Sequence, residues 1–187
     1  MTDMDKKTLV RWSRIEHGDW RLHIAATDRG LCYIGSPDMP LSQLEAWVGA
    51  RMAGSDLVRD DARLAPYAHE LAEYMDGARR TFEAPVDFRG TAFQLAVWQA
   101  LTDIPYGETR SYSDIANVVA RPAAVRAVGA AIGANPVLVC VPCHRVVGKS
   151  GAMTGYRGGL DMKIRLLELE RGANAAAPEQ AGTARTR

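Results

Sequence analysis

Cysteine and histidine stand side by side once in this chain of 187 residues, within Cys140-Val-Pro-Cys143-His144-Arg145. Three chemistries use such residues at such spacing. A Cys-x-x-Cys pair with proline before the second cysteine is a dithiol redox pattern. That chemistry needs its first cysteine exposed at a helix N-terminus, whereas Cys140 lies inside the apolar run Val137 to Val141. Cys-x-x-Cys-His is also the attachment pattern of c-type haem. Haem attachment normally accompanies export, and the leading Met-Thr-Asp-Met-Asp-Lys-Lys lacks the basic-then-apolar order of a signal peptide. The third chemistry is a cysteine nucleophile with an adjacent base. A thiol is a poor nucleophile until deprotonated, and His144 and Arg145 offer a base and a positive environment. From the cluster alone, this reading stands level with a buried, inert cysteine followed by surface polar residues.

Metal binding is not expected. A structural zinc site wants four ligands, and Cys32, His17, His23 and His69 show no paired spacing that would supply them. Three cysteines, an odd and small number, also argue against a disulfide framework.

The elements that must hold the cluster are legible in outline. The first third reads as a meander. Trp20, Leu22 and Ile24 alternate with Arg21 and His23, turn signals stand at Gly18-Asp19 and Asp28-Arg29-Gly30, and Leu31 to Ile34 suits a third strand. Leu41, Leu44, Trp47 and Val48 recur at helical spacing. So do Leu64, Ala68, Leu71 and Met75, with Gly77 as a stop. A short strand is expected near Phe82 to Val86, then a junction at Asp87 to Gly90. Thr91 and Gln94 form a capping box that opens a helix reaching Thr102. Pro105-Tyr106-Gly107 is a turn. Ser111 with Asp114 starts a short helix to Val119, and Pro122 suits the first position of a second helix running to Ala134. Two short helices around a tight break outline a helix-turn-helix.

On that second helix Val125, Val128 and Ile132 make an apolar stripe, while Arg126, Gly129, Ala130 and Gly133 share a neighbouring face. A helix-interior glycine costs about 1 kcal/mol relative to alanine, so two on one face imply close approach of something. A DNA groove and a packed helix inside the protein explain it equally. Val137 to Val141 reads as a buried strand with Cys143 at its exit, and the residues after Cys143 do not read as a helix. Gly151 to Gly159 forms a loop. Asp161 caps a last helix carrying Ile164, Leu167 and Glu170, stopped by Gly172.

With 47% hydrophobic and 24% charged residues, the composition is that of a soluble globular protein. No apolar run is long enough to cross a bilayer, so a cytoplasmic protein without membrane contact is expected. Residues 1–89 hold 12 Lys/Arg against 15 Asp/Glu, and residues 90–172 hold 9 against 6. The mildly basic second half permits nucleic-acid binding without requiring it.

The longer stretch from Gly90 to Gly172 carries Ile104-Pro-Tyr-Gly-Glu108, Ser111-Tyr112, Arg126-Ala-Val-Gly129 and Asn135-Pro136. It continues with Val141-Pro-Cys-His-Arg-Val146, Thr154-Gly-Tyr156, Gly158-Gly159, Lys163 and Leu166-Leu167. In this order the motifs resemble the O6-alkylguanine-DNA alkyltransferases, the methylated-DNA–protein-cysteine methyltransferases. Residues 1–89 match only loosely, as that family's variable N-terminal domain does. The resemblance implies an α+β protein. A small N-terminal β-sheet domain with flanking helices (1–89) would act as scaffold. A mainly helical, winged-helix-like domain with a helix-turn-helix (90–172) would bind DNA and catalyse, and a disordered tail (173–187) would follow.

It also implies roles. Cys143 would accept the alkyl group, His144 would act as base through a water, Glu170 would orient His144, and Asn135 would hold the turn carrying Cys143. Arg126 would fill the space of a flipped guanine. Tyr112 would crowd the adjacent phosphate and donate a proton towards the leaving ring. Ser111, Gly129, Ala130 and Gly133 would complete the DNA face. Pro142, Val146, Tyr156 and the amide of Arg157 would line the pocket. The implied partner is double-stranded DNA carrying alkylated bases, bound by a monomer that needs no cofactor. Relatives that bind such lesions without repairing them lack the acceptor cysteine, and Cys143 is present. Some relatives hold zinc in the N-terminal domain, and others carry a cysteine-rich sensor domain. With only Cys32 in its first half, this chain is expected to have neither.

Overall fold

A computed structural model describes residues 8–175. Strands β1 (Leu9–His17), β2 (Trp20–Thr27) and β3 (Gly30–Ile34) form the expected antiparallel meander. A fourth strand, β4 (Asp56–Arg59), adds parallel to β1 and gives the order β3-β2-β1-β4. Its four residues alternate too little to be seen in the sequence, and only Leu57 is more than marginally covered. Helix α1 (Leu41–Arg51) lies over one sheet face, where Val10, Ala25, Cys32 and Tyr33 meet Leu44 and Val48. Helix α2 (Asp61–Met75) lies over the other, with Leu64, Leu71 and Tyr74 inward. Strand β3 is therefore buried along its whole length.

The second part is helical. Helix α3 (Ala92–Thr102) opens with the Thr91/Gln94 capping box. The two-residue strand β5 (Arg110–Ser111) leads into α4 (Tyr112–Val118), where Ser111 and Asp114 form a second box. After a turn comes α5 (Val125–Gly133), so α4 and α5 make the helix-turn-helix. Helix α5 starts later than expected. Pro122 and Ala123 sit in a turn, and Ala124, with no side-chain cap, precedes the first helical residue. Strand β6 (Val146–Val147) pairs parallel with β5, and α6 (Leu160–Ala175) closes the chain. Trp98 of α3 donates from its indole to the carbonyl of Ala131 (2.8 Å), fastening α3 to α5 inside the core.

Several elements differ from the sequence reading. Val137 to Val141 is no strand but a buried coil of turns, with one bridge from Val137 to Ile34. The periodicity of a short apolar run cannot separate these cases, and here Asn135 supplies the hydrogen bonds a neighbouring strand would have supplied. Phe82 to Val86 contributes only a bridge, Leu31 to Val86. Cys143–Arg145 is a turn of 3-10 helix. Leu160, not the residue after Asp161, begins α6, and α6 passes Gly172 to Ala175, three residues into the stretch expected to be disordered. The rest of that stretch lies outside the described residues.

The core is continuous across both parts. Leu22, Ile24 and Ile34 of the sheet, Tyr74 of α2, Trp98 of α3, Val128 and Ile132 of α5 and Leu166 of α6 belong to one buried cluster that includes Cys143. The seam is also hydrogen-bonded, through Ile34 N to the carbonyl of Pro136 (2.9 Å), and within the first part Leu31 N bonds to that of Pro85 (2.8 Å). Gly30 makes the second contact possible. Its φ is +144°, and an added Cβ would lie 2.3 Å from the Pro85 oxygen. Gly30→Ala should lower the unfolding free energy by about 2 kcal/mol or more. Gly18→Ala, with φ +54° but open space, should cost only about 1 kcal/mol. Equal losses in urea titrations of the two variants would contradict this packing.

Candidate active site

Asn135 organises the turn that presents Cys143. Its Oδ1 accepts from the amide of Val137 (2.9 Å), and its Nδ2 donates to the carbonyl of Val141 (3.0 Å) and to Cys143 Sγ (3.1 Å). Val139 sits at φ +70°, a conformation strained for a β-branched residue. The chain thereby reverses within Val137 to Val141 and delivers Pro142 and Cys143 to the core. Cys143 is 3% exposed. Burial pushes its thiol above the ordinary range, while the Asn135 amide and the charges of Arg157 and Lys163 pull the other way. Cys140 is pushed up further, chiefly by burial, and Cys32 to about 12. A dithiol redox centre needs a depressed thiol, so the redox reading loses its footing.

Glu170 of α6 is the second anchor, fully buried. Its Oε1 meets His144 Nε2 at 2.6 Å, and Arg145 grips the carboxylate through Nε (3.0 Å to Oε2) and Nη2 (3.1 Å to Oε1). The amide of Gly107, in the Pro105–Gly107 turn, donates to Oε2 (2.8 Å), and the hydroxyl of Tyr74 donates to Oε1. Burial alone would raise this carboxyl. The bonds and charge of His144, with those of Arg145 and Tyr74, overcome that and hold it at about 2. His144 is also fully buried. Burial lowers its imidazole below 6.5 against the upward pull of Glu170. A buried imidazole whose Nε2 is bound to a carboxylate does not offer a haem ligand. Because Nε2 faces an ionised carboxylate, it carries the proton, and Nδ1 is the basic nitrogen. That Nδ1 is buried without a protein partner among the described residues.

The remaining predicted residues fall into two groups. Arg126, Ala130 and Gly133 are exposed on α5, and Gly129 is half-buried beside Tyr112. An alanine Cβ at Gly129 would meet the Tyr112 ring at 3.7 Å, an ordinary contact, and one at Gly133 would meet nothing within 4 Å. Internal packing therefore requires neither glycine. The pairing of β5 with β6 sets Ser111 beside Val147, so the start of α4 and the exit of the Cys143 turn move as one. Thr154 donates to the Tyr112 hydroxyl (3.1 Å). Tyr156 stands edge-on to His144, ring centroids 6.4 Å apart, with its hydroxyl buried. Arg157 turns its side chain away to the carbonyls of Asn135 (3.0 Å) and Ile34 (2.7 Å), and its own carbonyl accepts from Ser36 (2.8 Å). It ties the Gly-rich loop to the sheet.

Two residues of the site were given no role from the sequence. Lys163, fully buried, donates from Nζ to the carbonyls of Val146 (2.5 Å) and Thr154 (2.9 Å). It was visible only as part of a matching motif. Its signal is the spacing Lys163, Leu166, Leu167, Glu170, which puts two charges on an inward helix face, whereas Ile164 is exposed. Tyr74 follows Leu71 by three on the inward face of α2 and reaches the site from the other half of the chain. Among the described residues no group of His, Cys, Asp or Glu could hold a metal ion, and no helix is long and apolar enough to cross a membrane.

A thiol and an imidazole buried side by side next to a helix-turn-helix, in a core shared with an N-terminal sheet, define a two-part protein with a candidate cysteine nucleophile. Comparison narrows the class. Residues 10–88 match the family profile of the 6-O-methylguanine DNA methyltransferase ribonuclease-like domain, and residues 92–172 that of its DNA-binding domain. An inducible methylated-DNA–protein-cysteine methyltransferase of Bacillus subtilis is 56% identical, over 92% of this chain and 96% of its own. The crystal structure of Mycobacterium tuberculosis O6-methylguanine methyltransferase is 37% identical, with a TM-score of 0.75 over 90% of this chain and 95% of that one. A structure of the M. tuberculosis protein in complex with DNA has the same identity and TM-score, over 88% and 94% of the two chains. The chain belongs to the 6-O-methylguanine DNA methyltransferase family.

The two buried titratable groups act on stability in the same direction. Glu170, held near 2, contributes stability that is complete above about 4.5 and is lost as pH falls towards 2. Below pH 6.5 the unfolded chain takes up a proton that the buried His144 resists. Urea midpoints should therefore fall steadily from pH 7 to pH 3, and His144→Asn should flatten the portion just below pH 6.5. A wild-type midpoint constant from pH 7 to 4 would contradict this.

Proposed function

We propose that this protein repairs alkylated DNA by transferring an alkyl group from O6 of guanine to Cys143, once per molecule. The observation that carries the proposal is the couple of Glu170 and His144 beside a thiol that its own surroundings keep protonated. Such a thiol is inert until a base removes its proton. His144 Nδ1, buried and without a protein partner, is the nitrogen available to do so through a bridging water. Glu170 then stabilises the imidazolium. Cys143 sulfur bonds to the alkyl carbon as the carbon–O6 bond breaks, and the electron pair stays with guanine. Tyr112 supplies a proton towards the ring, which improves the leaving group, and the proton taken up by His144 returns through solvent to the Tyr112 oxygen. The thioether product resists hydrolysis, so the thiol is not regenerated.

The alkyl group lies out of reach in paired DNA, so the nucleotide must leave the stack at a cost of a few kcal/mol. Arg126 would fill the gap, with α5 in the minor groove. The glycines support this, since the protein's own packing requires neither of them. Pro142, Val146, Tyr156 and the Arg157 amide would line the pocket, with Ser111 and Tyr112 at the phosphates. Residues 1–89 would be scaffold and 90–172 the DNA-binding and catalytic part. The protein would act as a monomer in the cytoplasm.

The test is intact mass and peptide mapping after mixing with duplex DNA containing O6-methylguanine. One methyl group on Cys143, saturating at one per protein, is expected. Unchanged mass with retained lesion binding would leave a damage-recognition module instead. His144→Asn should slow transfer by about a hundredfold or more. Gly133→Ala, at the last residue of α5, should leave stability unchanged or raise it by up to about 0.5 kcal/mol while weakening DNA binding. A variant that keeps or gains stability and binds as before would remove α5 from the DNA interface.

A further inference from the structure

We propose that Tyr74, on a helix of the N-terminal sheet part, is a positioning residue for the transfer, its hydroxyl setting how strongly Glu170 draws on His144. The inference rests on the alkyl-transfer reading.

Tyr74 is fully buried near the C-terminal end of α2. Its ring is held between Phe82 and Tyr106, at centroid distances of 5.0 and 5.8 Å. Burial, then the neighbouring Glu170, push its hydroxyl well above the ordinary tyrosine range, so it is a donor at every working pH. A buried tyrosine usually finds some acceptor, and any carbonyl would satisfy it. This one donates to Glu170 Oε1, the same oxygen that His144 Nε2 uses, and lies 3.4 Å from that nitrogen. Tyr74, Arg145 and His144 all draw on this one oxygen and share its basicity, and Tyr74 is the neutral donor among them. Without the hydroxyl, Oε1 would draw harder on the Nε2 proton and favour imidazolium. The neutral imidazole needed to take the thiol proton would then be scarcer at a given pH.

The groups around His144 are Glu170 and Lys163 from α6, Cys143 and Arg145 from its own turn, Tyr156 from the Gly-rich loop and Tyr74 from α2. Tyr106 lies beside Glu170 and stacks on Arg145. Tyr74→Phe changes only one oxygen in this set and keeps the ring packing.

The experiment is the single-turnover rate of methyl transfer from duplex O6-methylguanine between pH 5.5 and 9, for the unaltered protein and Tyr74→Phe. The acid limb of the variant's profile should move up by about one unit, a loss of about tenfold on that limb that fades towards pH 8.5. A lower melting temperature with an unmoved limb would show a structural role only and overturn the inference. Should the variant not fold, the ring nitrogen shifts of His144 in the unaltered protein decide. A proton held on Nε2 and exchanged in step with Glu170 supports the arrangement, and a proton resident on Nδ1 overturns it. Failure of the unaltered protein to transfer methyl would sink the underlying reading. Transfer with an unmoved limb in Tyr74→Phe would sink the inference alone.

Discussion

The Glu170 carboxylate is the constraint around which this molecule is arranged. A buried carboxylate is tolerable only if its lone pairs are occupied and its charge is matched. Here four residues from three places donate: His144 and Arg145 of the Cys143 turn, Gly107 of the Pro105–Gly107 turn through its amide, and Tyr74 of α2. Arg145 spends its other end on the carbonyl of Ile104 (2.6 Å). Removing any one donor leaves a charge partly unmet where water does not compensate. The carboxylate thus fixes the helical part, the reactive turn and the sheet part relative to one another, while orienting the imidazole.

Asn135 plays the matching part for the thiol. It satisfies the backbone of a tight turn and also touches the sulfur, so turn geometry and thiol position are one feature. Lys163 does the same for the carbonyls of Val146, in β6, and Thr154, within the Gly-rich loop. All three are polar groups buried among apolar ones; Asn135 and Lys163 are satisfied largely by backbone, Glu170 largely by side chains. Their value lies in setting positions that apolar packing alone leaves loose.

Much of this was legible in the sequence, for reasons that differ by element. Capping boxes are local, and both Thr91/Gln94 and Ser111/Asp114 could be read directly. The meander followed from alternation and turn residues. Val137 to Val141 misled because the side chain that replaces its strand partner, Asn135, carries no periodic signal. Ile164, named with Leu167 and Glu170 on the last helix, is exposed, and Lys163 takes the buried place beside it. Tyr74 could not be found by local reasoning, because its partner is 96 residues away. The Cys143-His144 pair was visible from spacing alone, but its environment came only with the fold.

That last separation bears on how the chain is made. Tyr74, His144 and Glu170 leave the ribosome in that order, and the carboxylate that organises the other two arrives last. Until α6 docks, the imidazole lacks its carboxylate, so on the proposed mechanism a partly synthesised chain would carry Cys143 without the means to activate it. Contacts of such long range form late and slowly. Reactivity would thereby be deferred until α6 is in place, and an unfinished chain would not use up its single chance to react.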